Sequence, residues 1–195
     1  SAKADKPQRG SHAHNTFWYY NNWDANVLGT IYKNLTKKDI FEDFRKLIAE
    51  PIGMEDFDIS KCEYKLADEN SIHPAYIFRM SVRDLLKFGL LYLNRGNYGG
   101  KDIVPRDWVN KSLQPYSTIP NQNGFGYMWE VSVNGFLYGV EVGNGAFAYS
   151  GFPGHFLVGI PLFGVAVVYE HNMEIPEKKF VKTEDFAKLL HQIIL

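Results

Sequence analysis

The last third of the chain constrains the fold most. Phe125 to Val133, Phe136 to Val142, His155 to Ile160 and Val165 to Glu170 are successive runs rich in aromatic and β-branched residues. Each is short and bounded by turn residues, so each is predicted as a strand. Asn134-Gly135 between the first two is the signature of a two-residue hairpin, because both residues tolerate positive φ. Pro161-Leu162-Phe163-Gly164 turns the last two. Thr183 or Glu184 then opens a closing helix through Leu195, with Phe186, Leu189, Leu190 and Ile193 on its buried face.

The first half reads as helices. Thr36 followed by Asp39 marks a start, and Ile40, Phe41, Phe44, Leu47 and Ile48 form its buried stripe until Pro51 stops it. Residues 55 to 75 form an irregular stretch with a short strand near Glu63 to Leu66. Ser81, with Asp84 at the capping-box position, opens a helix that is apolar on most sides through Leu93 and ends at Asn94-Arg95-Gly96. Pro105 begins another short helix through Trp108 to Leu113. Helices first, an antiparallel meander next and one last helix define an α+β domain. It spans 1–195 as an antiparallel sheet with flanking helices, and residues 1–14 are an extended lead-in.

One stretch near the start is chemically distinctive. Phe17-Trp18-Tyr19-Tyr20 favours an extended strand, Asn21-Asn22 offers capping oxygens, and from Trp23 the pattern becomes helical, with Val27, Leu28, Ile31 and Tyr32 on one face. A strand-to-helix corner results, with Tyr20 and Asn22 beside the turn.

Composition narrows the function classes. A formal net charge of −1 points away from nucleic acid and anionic membrane surfaces. No run of about 18 apolar residues exists, so no membrane span is expected. The first residues are polar and basic, without the apolar core of a signal peptide. The single Cys62 excludes an internal disulfide and has no recognisable His partner for a nucleophilic thiol. His12-Ala13-His14 puts two imidazoles on one side of an extended segment, but no third ligand is near, so no metal site is read there. No cofactor is implied.

Several segments together resemble the penicillin-recognising serine hydrolases: class C β-lactamases, DD-peptidases, family VIII carboxylesterases and 6-aminohexanoate-dimer hydrolases. Tyr20-Asn21-Asn22 with Leu28-Gly29 is similar to their Tyr-x-Asn motif at a helix start. Pro51-Ile52-Gly53-Met54 resembles their Pro-Leu-Gly-Met turn. Ser81 to Arg95, Gly99 to Val104 and Trp108-Val109 resemble the long helix and the segment after it, and Gly151-Phe152-Pro153-Gly154-His155 resembles the Gly-x-Gly-Gly-Gln strand start. The order and spacing of these pieces over roughly 170 residues carry the resemblance.

What the resemblance implies is acyl transfer on a small-molecule or peptide-like substrate, in proteins that are often periplasmic or secreted. In that family a Ser in Ser-x-x-Lys attacks an acyl carbonyl and the Lys helps deprotonate it. On this chain Tyr20 would be the proton shuttle and Asn22 the orienting amide. The third family motif, Lys/His-Thr/Ser-Gly, falls at Tyr149-Ser150-Gly151, and the backbone N–H of Phe152 would be an oxyanion-hole donor. An unperturbed Tyr titrates near 10, so a phenol needs a neighbouring ammonium to act as a base at neutral pH.

Two departures matter. Tyr149 stands where many members have Lys or His, which weakens a strict β-lactamase or DD-peptidase reading and leaves an esterase or amide hydrolase open. No Ser-x-x-Lys occurs in the 195 residues. The chain therefore looks like the C-terminal part of a larger hydrolase, inactive alone, and either completed by the missing N-terminal half or a partner chain carrying it, or left with an exposed apolar sheet edge that drives self-association. The alternative is a non-catalytic binding or scaffold homologue of the same fold. Other residues have a plain reading beside a functional one: His155 as a packing or surface residue or a substrate contact, Trp129 and Tyr127 as core aromatics or the lining of an acyl pocket, and His73 as a loop residue.

Overall fold

The computed structural model describes residues 6–13, 16–66, 71–120, 122–151, 154–171 and 181–194. Helix α1 (Asn22–Thr36) starts where Asn21, extended at φ −146° and ψ 146°, accepts the Asp24 N–H. It ends at Lys37, which adopts left-handed φ 60° and donates its N–H to the Lys33 carbonyl. Helix α2 (Ile40–Phe44) is capped by Asp39, whose Oδ1 accepts from Phe41 N (2.9 Å) and Glu42 N (3.1 Å). Thr36 is thus not the cap: it belongs to α1 and donates its hydroxyl to the Tyr32 carbonyl. α2 runs into a π-helical turn, Arg45–Ala49, before Pro51, and the wider turn takes Leu47 off the predicted buried stripe and leaves it exposed.

Strands β1 (Glu63–Lys65) and β2 (Ala75–Ile77) pair antiparallel, Tyr64 opposite Tyr76. Helix α3 (Val82–Leu93) follows, with Ser81 accepting the Asp84 N–H as predicted. Asp84 does more than favour the helix N-terminus. Its fully buried carboxylate accepts the N–H of Glu55 (2.9 Å) and of Asp56 (3.0 Å), fixing the preceding loop onto α3. Strands β3 (Asn97–Tyr98) and β4 (Lys101–Asp102) form a small hairpin, and α4 (Arg106–Ser112) starts after Pro105.

The main sheet has six antiparallel strands in the order β12-β11-β10-β7-β6-β5. They are β5 (Ser117–Thr118), β6 (Gly124–Phe125), β7 (Glu130–Val131), β10 (Phe147–Gly151), β11 (His155–Ile160) and β12 (Val165–Tyr169). Strands β8 (Phe136–Leu137) and β9 (Val140–Glu141) form a separate hairpin between β7 and β10.

The predicted strand 125–133 is therefore two strands folded on each other. The chain reverses at Gly126, where a Cβ would run into the Ser112 carbonyl, and at Met128 with φ 66°. The predicted strand 136–142 is likewise a hairpin, turned by Tyr138 (φ 54°) and Gly139 (φ 79°), the two consecutive positive φ values of a type I′ turn. Asn134-Gly135 does not join paired strands. It leads out of the sheet, with the Gly135 carbonyl accepting from Val142 and Gly143.

Alternation along β10 to β12 puts the core on both faces of the sheet. Phe147, Leu157 and Val168 pack with Tyr92, Trp129 and Val109 on the α3 side. Ala148, Phe156, Val158 and Ile160 pack with Phe186 and Leu190 of α5 (Thr183–Ile194) and with the β8–β9 hairpin on the other. Phe156 and Phe186 stack with centroids 4.2 Å apart. Leu189 and Ile193, predicted on the buried face of α5, are exposed.

Helix α1 packs on β2 and α2 but has no buried residue. Of its predicted apolar face, Leu28 is 52% and Ile31 46% exposed. Among the described residues β12 is an edge strand whose sequence, Val-Ala-Val-Val-Tyr, contains no charge or proline. Apolar edges of that kind are what a further strand pairs with. No helix among the described residues is long and apolar enough to cross a membrane.

Candidate active site

The corner before α1 forms as predicted, with one change. Residues 17–20 run outside any ladder, held instead by ring contacts: Trp18 meets Phe125 of β6 edge-on at 5.4 Å and Tyr20 at 6.5 Å. Asn21 is the cap, its Oδ1 accepting Asp24 N (3.1 Å) while its Nδ2 donates to Asp24 Oδ2 (2.6 Å). This double tie fixes the backbone on either side of Tyr20 and Asn22. Asn22 is the first helical residue and is exposed; Tyr20 is 46% exposed.

Helix α1 is positioned by close packing. Gly29 lies against the ring of Tyr76 on β2, where a Cβ would overlap ring carbons, so the Gly of Leu28-Gly29 is a packing requirement. His73, expected only to occupy a loop, supports the same helix. Its Nδ1 is 3.1 Å from Thr30 Oγ1, its carbonyl accepts from Asn26 Nδ2 at 3.4 Å, and its ring meets Trp23 at 5.5 Å.

The other half of the site is one end of the sheet. Strand alternation puts Tyr149 and Gly151 on the α3 face of β10, level with Leu157 and His155 of β11. Glu170 follows the last residue of β12 at the same end. Ser150 points the other way, toward Tyr138. Burial pushes the Tyr138 phenol far above its ordinary value, Glu130 adds to this, and the Ser150 hydroxyl opposes it. A Cβ at Gly151 would lie 2.7 Å from Tyr149 Oη, so glycine there leaves the space the phenol uses.

Tyr20 and Tyr149, 129 positions apart in sequence, are electrostatic neighbours. Although Tyr149 is part-exposed, the packing around its hydroxyl holds the phenol above its ordinary value, and Tyr20 and then the Glu170 carboxylate push it further up. Burial raises Glu170 as well. His155 is lowered by burial and by His171, and its Nδ1 accepts the His171 backbone N–H at 3.3 Å. A neutral His155 therefore carries its proton on Nε2.

Phe152, the predicted oxyanion donor, and His14 lie outside the described residues. His12 stacks on Phe17 at 4.0 Å, and among the described residues no group of three or more His, Cys, Asp or Glu side chains is arranged to hold a metal. Trp129 is buried against Tyr92 and Phe147. Tyr127 is instead exposed, stacked on Tyr116 at 5.0 Å. The sequence reading missed Trp18, His73 and Glu170 as parts of the site. For Trp18 the signal was available, in an aromatic run too long for a half-buried strand to hide; for Glu170 there was none.

A helical corner bearing a phenol, set against the end of an antiparallel sheet with helices on both faces, defines the α+β architecture of the β-lactamase-like serine hydrolases. The family model described as Beta-lactamase matches residues 4–192, and the chain belongs to that family. Three solved structures share the fold. A Bacillus anthracis protein assigned as a 6-aminohexanoate-dimer hydrolase is 24% identical, with TM-score 0.65 over 92% of this chain and 43% of its own. A Bacteroides dorei DSM 17855 protein assigned as a β-lactamase is 14% identical, with TM-score 0.62 over 92% and 58%. EstCE1, a hydrolase with promiscuous acyltransferase activity, is 17% identical, with TM-score 0.51 over 73% and 48%. The chain thus spans about half the length of the structures it matches. Comparison with curated protein sequences gives no match.

Proposed function

We propose that this chain is the C-terminal part of a serine hydrolase that cleaves an ester, amide or β-lactam through an acyl-enzyme. The observation that carries the reading is the approach of Tyr20, part-exposed at the capped start of α1, to Tyr149 at the end of β10. In this mechanism the hydroxyl of a Ser-x-x-Lys serine, supplied from outside these 195 residues, attacks the acyl carbonyl. Its proton passes to Tyr20, whose phenolate form the lysine ammonium favours. Tyr20 then gives the proton to the leaving group as the tetrahedral intermediate collapses, and water later releases the acyl group by the same route in reverse.

Asn22 orients the substrate or the lysine. The Tyr149-Ser150-Gly151 edge lines the substrate, and the Phe152 N–H stabilises the developing oxyanion. The apolar β12 edge and the exposed Leu28 and Ile31 of α1 support a missing N-terminal half, or a partner chain carrying it, that completes the sheet and covers the helix. Tyr149 in place of a cationic residue favours an esterase or amidase over a β-lactamase.

The test is turnover of nitrocefin and p-nitrophenyl esters by the full gene product and by its Tyr20→Phe variant. The reading expects ester turnover that falls by about 10²-fold or more in the variant, the contribution of a positioned acid–base group. Unchanged turnover removes Tyr20 from the mechanism. A full product without activity on any acyl substrate favours the non-catalytic homologue, which the absence of Ser-x-x-Lys in this chain also fits.

A further inference from the structure

We propose that Asn134 is a site of spontaneous deamidation, converted to aspartate and isoaspartate through a succinimide, and that the conversion loosens the β8–β9 hairpin. The chain has three Asn-Gly pairs, at 123–124, 134–135 and 144–145. In an unfolded chain all three are prone to the same reaction, because glycine leaves the backbone nitrogen after Asn open to close approach. That nitrogen gives its proton to base and attacks the Asn Cγ. A C–N bond closes the ring, the Cγ–Nδ2 bond breaks, and the leaving nitrogen takes a proton from water to depart as ammonia. Water then opens the ring at either carbonyl, giving aspartate or a main chain that runs through the side-chain carbon as isoaspartate. No oxidant or cofactor enters.

The fold treats the three pairs differently. Asn123 is buried, and its Nδ2, the leaving group, donates to Glu130 Oε1 (2.9 Å) and to the Phe136 carbonyl (3.1 Å). Asn144 is exposed, but the nitrogen that would attack it, that of Gly145, donates to the Ser132 carbonyl at 2.8 Å. Asn134 is exposed too, and the Gly135 N–H donates to no protein group among the described residues. The Asn134 Oδ1 accepts the Phe136 N–H at 3.0 Å. This Asx turn folds the side-chain carbonyl back over the Gly135 nitrogen. It also places a donor on the oxygen where negative charge grows during the attack. The loops of Asn134 and Asn144 touch, since the Gly135 carbonyl accepts from Val142 and Gly143. Solvent and local charge are therefore shared, and the hydrogen bond at Gly145 is what separates the two sites. Isoaspartate lengthens the main chain just before Gly135 and displaces the acceptor of the Phe136 N–H. Leu137, the next residue of β8, is fully buried in the α5-side core, so the change reaches the core.

The experiment is peptide mapping by mass spectrometry of the full gene product aged in mildly alkaline buffer, folded and in urea. In the folded protein Asn134 converts first, about tenfold ahead of Asn144, the factor for one backbone hydrogen bond that must break before attack. Asn123 is slowest, and both aspartate and isoaspartate peptides form at position 134. In urea the three rates converge. Folded protein carrying isoaspartate at position 134, separated from its parent, unfolds at a lower urea midpoint. Asn144 or Asn123 keeping pace with Asn134 in the folded protein overturns the proposal. So does an Asn134 lead that persists in urea, conversion to aspartate alone, or a folded Asn134 that stays intact while the unfolded chain converts. Equal urea midpoints overturn the effect on the hairpin. None of these readouts involves turnover, so the result is independent of the hydrolase reading.

Discussion

Replacing Gly29 with alanine tests whether the corner that carries Tyr20 is held by close packing of α1. Helix propensity alone predicts a gain, since Ala is favoured over Gly inside a helix by about 1 kcal/mol. The structure predicts a loss. A Cβ at position 29 falls within the ring of Tyr76, and that ring cannot retreat freely, because Tyr76 packs edge-on against Phe78 at 6.4 Å within the β1–β2 pair. Overpacking of this kind costs about 1–3 kcal/mol, and more when a rigid ring is struck. Set against the propensity gain, the net effect is a destabilisation of up to about 2 kcal/mol, read as a lower urea midpoint and a Tm fall of up to roughly 4–8 °C for a chain of this size. The same substitution in a Tyr76→Leu background, where a smaller and more flexible side chain faces it, becomes neutral or stabilising. If Gly29→Ala stabilises the protein that still has Tyr76, α1 is not fixed by this contact and the account of the corner is wrong.

Three further outcomes are expected. Asp84→Ala leaves the N–H groups of Glu55 and Asp56 without their protein acceptor and empties a fully buried position, which costs about 1–3 kcal/mol by urea unfolding; a loss under about 0.5 kcal/mol contradicts it. Phe186→Ala empties a site stacked on Phe156 in the α5-side core and costs about 3–5 kcal/mol, measured in the same way. Glu170 has a folded-state pKa raised by burial, so its contribution to stability is fullest at low pH and is lost as pH rises from the ordinary carboxylate value through the raised one. Glu170→Gln therefore melts higher than the parent at pH about 7 and converges with it near pH 4; parallel curves at both pH values refute the linkage.

Much of the fold is legible in local sequence. Ser81 before Asp84 and Asn21 before Asp24 specify helix starts through their own backbone contacts, and His155 to Ile160 is a strand at its predicted bounds. What sequence does not reveal depends on distant partners. The break inside 125–133 exists because Gly126 meets the Ser112 carbonyl, and nothing adjacent to Gly126 announces that. The hairpin at Tyr138-Gly139 was hidden by Asn134-Gly135, a stronger local turn signal used here to leave the sheet. The apolar face of α1 was correctly periodic, but periodicity does not say whether a partner is present, and Leu28 and Ile31 are exposed. At the candidate site the motif residues Tyr20 and Tyr149 were readable one by one. The influence of Tyr20 on Tyr149, and the carboxylate of Glu170 beside Tyr149, required the folded sheet.

The central claim is that Tyr20 moves the proton in an acylation whose serine lies elsewhere. Intact-mass trapping of an acyl adduct from a p-nitrophenyl ester tests it most directly, comparing the full gene product, its Tyr20→Phe variant and the 195-residue chain. The account predicts a stoichiometric adduct on the full product, acylation slowed about 10²-fold or more in Tyr20→Phe, and no serine adduct on the chain alone. An adduct forming equally fast in the Tyr20→Phe variant, or on a serine of the isolated chain, would contradict it.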